Sequence, residues 1–214
     1  MLNLGRPVLC ALLLWIVPVS CSLPGKPASP PMQTFVLQGS GSLPGVPPAR
    51  ARPCLSLRIS SPTAAPGVGS ARMAYSQEAN RLDYFAYHAW VDAPAKMLSS
   101  LMTRTLESSG LFGAVVSGSP EVRTQLRLDS ELLRLQQEFD GSDSRLLLDV
   151  RVALVDVPSR TLLGSRSFSY SITAGAANPE AGVAAANQAA DRFVADLEEF
   201  LAASIAPISC AGSN

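Results

Sequence analysis

Five apolar side chains at every second position, Leu146, Leu148, Val150, Val152 and Leu154, constrain this chain more than any other feature. Period-two spacing places all five on one face of a strand. A strand with one continuous apolar face needs neighbours beside it and a second layer over it. The C-terminal third supplies that layer. After Asn178-Pro179-Glu180, a helix-opening triplet, Val183, Ala186, Ala190, Phe193, Val194, Leu197, Leu201 and Ser204 or Ile205 recur at helical spacing.

The neighbours can be read on either side. Leu126 and Leu128 share one parity, whereas Leu133 and Leu135 have the other. One strand cannot bury both sets on one side unless it bends, so a bulge is expected near Glu131-Leu132. Asp156 to Arg160 reads as a turn, and Phe168, Tyr170 and Ile172 line the next strand. Earlier strands are expected at Gln33–Leu37 and Leu55–Ile59, with a loop over Pro62–Gly69. Arg72–Ser76 and Leu82–Ala86 read as a hairpin across Glu78-Ala79-Asn80. Asp92 as cap and Pro94 in the first turn open a helix whose face is Leu98, Leu101, Met102 and Leu106, with Gly110 as its stop. Phe112–Val116 then returns to the sheet. The order implies an α+β fold, an antiparallel-rich sheet with two main helices packed on it, preceded by a flexible tether.

The N-terminus carries a targeting signal. Arg6 precedes the apolar run Val8–Val17, which is too short for a membrane span of about 20 residues. The run ends at Pro18-Val19-Ser20-Cys21, small residues before a cysteine, as in a bacterial lipobox, although Pro18 stands where leucine is usual. Three segments follow: residues 1–20 as signal peptide, 21–32 as a lipidated Pro-rich tether, and 33–210 as the folded domain. Cys21 would carry the diacylglyceryl group and palmitate-type chains; the alternative is a plain signal peptide with an incidental cysteine. Cys10 would leave with the signal, so Cys54 and Cys210 remain as a candidate disulfide in an oxidising compartment.

Composition argues against several classes of chemistry. Lysine plus arginine number 17, as do aspartate plus glutamate, and loss of Arg6 leaves 16 against 17. Such a balance gives no field to attract nucleic acid. A lone histidine, His88, disfavours zinc and imidazole acid–base sites. It reads as a surface or half-buried residue, with Asp83 or Asp92 as conceivable orienting carboxylates. Glu138, Asp140, Asp143 and Asp149 lack calcium-ligand spacing and read as a solvated hairpin tip. Gly67-Val68-Gly69-Ser70 lacks the lysine and helix of a phosphate loop and reads as a turn. No catalytic residue, metal or cofactor is expected. Tyr75, Tyr84, Phe85, Tyr87 and Trp90 are divided between core and surface, with Tyr84, Tyr87 and Trp90 as candidate partner or lipid contacts.

The stretch Arg72-Met73-Ala74-Tyr75, then Leu82 through Pro94, Met97-Leu98 and Ser109-Gly110-Leu111-Phe112 resembles the ABC-type transport auxiliary lipoproteins, the paraquat-inducible protein C type included. The resemblance spans about residues 33–205. It implies a non-catalytic, periplasm-facing lipoprotein of the bacterial envelope. Its partners would be an MCE-domain (mammalian cell entry) substrate-binding protein, a permease and an ATPase, together moving lipids or other apolar molecules. A bound lipid ligand is conceivable within such a system. Ser22, in place of the aspartate that favours inner-membrane retention, points to the outer membrane. Two other classes remain open: a free-standing envelope-assembly or scaffold lipoprotein, and a periplasmic hydrolase. With the signal removed, Cys21→Ala should shift the protein from the membrane to the soluble envelope fraction, because acyl chains hold it there. Membrane retention of that form on fractionation would contradict the anchor.

Overall fold

The computed structural model describes residues 29–39, 50–118 and 121–210. Cys21, most of the tether and residues 40–49 lie outside them. From Pro31 onward the chain forms one compact unit. Its elements are β1 (Gln33–Phe35), β2 (Arg52–Ile59), β3 (Thr63–Ala64), β4 (Arg72–Ser76), β5 (Asp83–Trp90), α1 (Pro94–Ser109), β6 (Phe112–Ser117), β7 (Leu126–Asp140), β8 (Asp143–Asp156), β9 (Thr161–Ala174) and α2 (Pro179–Ile205). The expected α+β fold is present, and β3 interrupts the loop expected over Pro62–Gly69.

Strands β7, β8 and β9 form a long antiparallel meander. The other edge of β7 is shared along its length by β2 at Leu57↔Leu126, β3 at Thr63↔Glu131 and β4 at Ala74↔Gln136, all parallel to it. The sheet therefore forks at β7. One wing continues from β2 to a parallel β6, the other from β4 to an antiparallel β5 and a parallel β1. Helix α1 packs on β6 and β7, α2 packs on β7, β8 and β9, and the helices touch each other.

The parity conflict in β7 is resolved by a bulge. The ladder runs Leu132↔Val150 and then Arg134↔Asp149, so two residues of β7 oppose one of β8 and Leu133 is the extra one. Before it Leu126, Leu128 and Leu132 face the helices; after it Leu135 and Gln137 do. The sequence had suggested Leu133 with Leu135, but Leu132 takes the buried place. Along β8, Leu146, Leu148, Val150, Val152 and Leu154 are all buried without interruption. The opposite face carries the cross-strand pairs Arg134–Asp149, Glu138–Arg145 and Glu131–Arg151. Such exposed pairs contribute at most about 1 kcal/mol each, so their main effect is to keep that face wetted.

Both helices carry their expected faces. Leu98, Leu101, Met102 and Leu106 of α1 are buried, and Gly110 closes the helix in the left-handed region at φ 72°. The N-cap is Ala93, not Asp92: the Asp92 carboxylate accepts from the adjacent Ala93 N–H at 2.7 Å and pairs with Lys96, which draws it away from the capping position. In α2 the Asn178 side chain caps by accepting from Ala181 N–H at 2.8 Å, and Ile205 rather than Ser204 completes the buried stripe. Gly182 lets α2 approach the sheet closely, since a Cβ there would meet the Gln137 carboxamide. Buried Gln137 donates to Ser144 Oγ at 2.9 Å and to the Asn178 carbonyl at 3.0 Å, which ties the start of α2 to the β7–β8 hairpin.

The chain end is fastened to the other wing. Cys54 and Cys210 form a disulfide, with Cα atoms 5.8 Å apart. Beside it, Arg52 donates to the carbonyls of Ile208 at 3.1 Å and Ala206 at 3.2 Å. The bridge closes a loop across a sequence separation of 156, for which the chain-entropy model gives about 4–5 kcal/mol, usually reduced by residual structure. Non-reducing peptide mapping should recover the Cys54 and Cys210 peptides linked, and reduction should lower the melting temperature; two free thiols would contradict the bridge. Trp90 is 4% exposed and belongs to the core. Trp90→Ala should therefore lower stability by about 3–5 kcal/mol, read as a fall in the thermal midpoint, whereas Tyr87→Ala on the surface should leave the midpoint nearly unchanged.

Candidate functional site

Strand β5 concentrates the aromatic residues, and its geometry sorts them into two faces. It pairs with β4 at Arg72↔Ala89 and again at Ala74↔Tyr84, so β5 advances five positions while β4 advances two. The surplus residues bulge outward, which leaves Ala86 and Tyr87 exposed. Trp90, level with Phe35 of β1, turns inward and is buried. Of the three aromatic contacts suggested by the sequence, Trp90 is thus a core residue and only Tyr84 and Tyr87 offer surface.

On the helix-covered face an aromatic row crosses four strands. Phe35 stacks on His88 at 6.0 Å, His88 meets Phe85 at 5.8 Å, Phe85 meets Tyr75 at 4.6 Å, and Tyr75 meets Phe139 at 5.8 Å. All five rings are half-buried near the start of α2. Glu180 Oε1 of α2 lies 3.6 Å from His88 Nε2, beyond hydrogen-bond length. His88 is therefore set among rings, and neither Asp83 nor Asp92 orients it: Asp83 pairs with Arg81 at 2.8 Å and Asp92 with Lys96 at 3.5 Å. Phe35 and Phe139 were not recognised from the sequence as members of this row. Phe139 could have been found from its parity with Leu135 and Gln137, whereas Phe35 is joined by a long-range parallel pairing that leaves no local signal.

On the opposite face the Arg72 guanidinium lies 3.5 Å over the Tyr84 ring, a close cation–π contact. The Tyr84 hydroxyl donates to the Gly67 carbonyl at 2.9 Å, so the Gly67–Ser70 loop is a turn held by β5. Gly67 itself adopts φ 95°, which suits glycine.

The acidic residues at the β7–β8 end are divided among structural tasks. Glu138 accepts from Arg145 at 2.9 Å and Asp149 from Arg134 at 2.7 Å, while Asp140 and Asp143 are exposed at the turn. Among the described residues no group of three or more His, Cys, Asp or Glu side chains is placed to hold a metal ion. An open groove between the two hairpin ends is lined by Glu78, Arg81, Arg134, Glu138, Asp143 and Arg145, charges of both signs.

Perturbed titrating groups do not converge on that groove. Asp156 is held below the usual carboxylate range by the Ser159 N–H and hydroxyl. Its charged form favours the fold above the ordinary carboxylate pKa, and that contribution is lost as pH falls through the lowered one. Burial raises Tyr170, helped by its hydrogen bond to Asp196 at 2.7 Å, and burial raises Glu198, opposed by Arg50. The three are spread over a turn, the β9–α2 contact and the end of α2.

Residues 35–198 match a family described as the ABC-type transport auxiliary lipoprotein component. Among solved structures, a Xanthomonas campestris protein of the DUF330 family is 19% identical, with 80% of this chain and 96% of that one covered at a TM-score of 0.69. An uncharacterised protein is 13% identical over 80% of this chain and 99% of its own, with a TM-score of 0.64. A hypothetical protein of Chlamydia trachomatis is 10% identical over 73% of this chain and 98% of its own, with a TM-score of 0.48. At such identities the first two likenesses concern the fold alone. No curated protein matches the sequence. The family match covers most of the chain, including α1, the greater part of α2 and the aromatic segment, and the chain belongs to the ABC-type transport auxiliary lipoprotein family.

Proposed function

We propose that this protein is a non-catalytic subunit of an MCE-type ABC transport system, anchored through Cys21 in the bacterial outer membrane and facing the periplasm. The observation that carries the reading is the family match over residues 35–198. It works with an MCE-domain substrate-binding protein, a permease and a cytoplasmic ATPase that move lipids or other apolar molecules through the envelope. ATP binding and hydrolysis belong to the ATPase; this chain supplies position and contact.

The described chemistry supports that division. His88 is packed between Phe35 and Phe85, and Glu138 beside the open groove is engaged in a cross-strand pair with Arg145. Catalysis asks for a nucleophile, a base and an orienting group that meet over one recess. Glu138, Asp149, Asn178 and Asp156 instead hold hairpins, a cap and a turn.

Purification of the tagged, lipidated chain from native envelopes should bring down the MCE-domain protein and permease in stoichiometric amounts. A complex composed of envelope-assembly proteins, with no transporter component, would contradict this reading. His88→Ala should leave both that co-purification and transport-dependent envelope integrity close to normal. Loss of function in a folded, partner-bound His88→Ala protein would show that the imidazole does chemistry.

A further inference from the structure

Of the seven exposed large apolar side chains among the described residues, four gather at one edge of the sheet, and Leu82, Val122 and Leu162 stand apart from them. Met32, Val36, Tyr87 and Val91 are all exposed, Met32 at 58% and Val91 at 59%. The parallel register of β1 and β5 runs Gln33↔His88 to Phe35↔Trp90. One step beyond either end it sets Met32 beside Tyr87 and Val36 beside Val91. The Val91 N–H donating to the Phe35 carbonyl at 2.8 Å continues the pairing at the second of these steps. Strand alternation turns Met32, Thr34 and Tyr87 away from Phe35 and Trp90, onto the uncovered face. Arg72 belongs to that face as well, level with Ala89 and stacked on Tyr84. Val36 also lines an open groove with Ser100 and Arg104 of α1. The edge thus combines aliphatic side chains, two tyrosines and two arginines.

We propose that this β1–β5 edge is a bilayer-contacting surface, resting on the lipid headgroup region of the membrane that holds Cys21. The inference depends on the anchoring reading given above. The folded unit begins at Pro31, immediately before Met32. Eleven positions separate Cys21 from Met32, and a fully extended chain gains about 3.3–3.6 Å per residue. The tether therefore spans no more than about 40 Å, and this edge is the part of the domain closest to the anchor along the chain. A surface held so near its target needs little affinity of its own, because the tether supplies a high effective concentration. Tyrosine is suited to that depth, with an apolar ring and a polar tip. Arg72 and Arg104 are placed to meet lipid phosphates. Asp92, next to Val91, is paired with Lys96 at 3.5 Å, which tempers its repulsion.

The test uses the processed, lipidated full chain in vesicles of phosphatidylethanolamine and phosphatidylglycerol. With Cys21 acylated and Cys54 bridged to Cys210, Thr34→Cys offers a single thiol for a nitroxide in the middle of the patch. Ser167→Cys, exposed on β9 at the far side of the sheet, serves as the reference. The Thr34 label should show a higher ratio of oxygen to nickel-chelate collisions than the Ser167 label. Adding Met32→Asp, Tyr87→Asp and Val91→Asp together should bring it down to the reference while the protein still floats with the vesicles. Equal aqueous accessibility of both labels on floating protein would overturn the proposal and assign the patch to a protein partner. Failure of the unsubstituted protein to float would refute the anchor at Cys21, and the bilayer contact with it.

Discussion

The whole architecture depends on a single extra residue in β7. The strand must bury Leu126, Leu128 and Leu132 in its first half and Leu135 and Gln137 in its second, and those sets differ in parity. Leu133 absorbs the difference between Leu132↔Val150 and Arg134↔Asp149. A straight strand would present one of those sets to water. Burying a leucine is worth roughly 1.5–3 kcal/mol, so the misplacement of several would exceed a large share of an ordinary domain's stability of 5–15 kcal/mol. The bulge also increases local twist. It lies just past β3, the short strand between the β2 and β4 segments of the β7 edge.

From that fork the two wings acquire different roles. The β2–β6 wing is closed off: the Cys54–Cys210 disulfide and the two Arg52 hydrogen bonds fix the end of the chain against it. The β4–β5–β1 wing is left more open. Its inward face holds the half-buried aromatic row at the start of α2, and its outward face holds Tyr84, Tyr87 and Arg72. The bulge in β5 is what pushes Tyr87 out while Trp90 stays in the core. Surface residues and core residues therefore alternate within a few positions of each other.

Local patterns revealed the layers but not their joining. The β8 alternation, the α2 stripe, the Gly110 stop and the helix opening at Asn178-Pro179-Glu180 are signals between residues close in sequence, and all appear as read. The bulge was legible within one or two residues because parity conflict is itself local. The fork was not: parallel pairings of β2, β3 and β4 along one edge of β7 depend on contacts some 60 to 70 positions apart, which periodicity does not encode. The same limit explains the candidate site. Trp90 and Tyr87 look alike as aromatic residues of one segment, and only the register with β1 and the slack against β4 separate core from surface. Asp92 looked like a cap by type and position, yet its carboxylate is turned to Ala93 N–H and Lys96.

A subunit that works by contact makes a clear demand of its partners. It should alter the rate of a process whose chemistry is carried out elsewhere. The most direct measurement is ATP-dependent lipid transfer between donor and acceptor vesicles by the reconstituted MCE protein, permease and ATPase, titrated with this lipidated chain. The account predicts that transfer rises with added subunit and saturates at a fixed stoichiometry, with no turnover by the subunit alone. Transfer that is indifferent to the subunit at every ratio would contradict it.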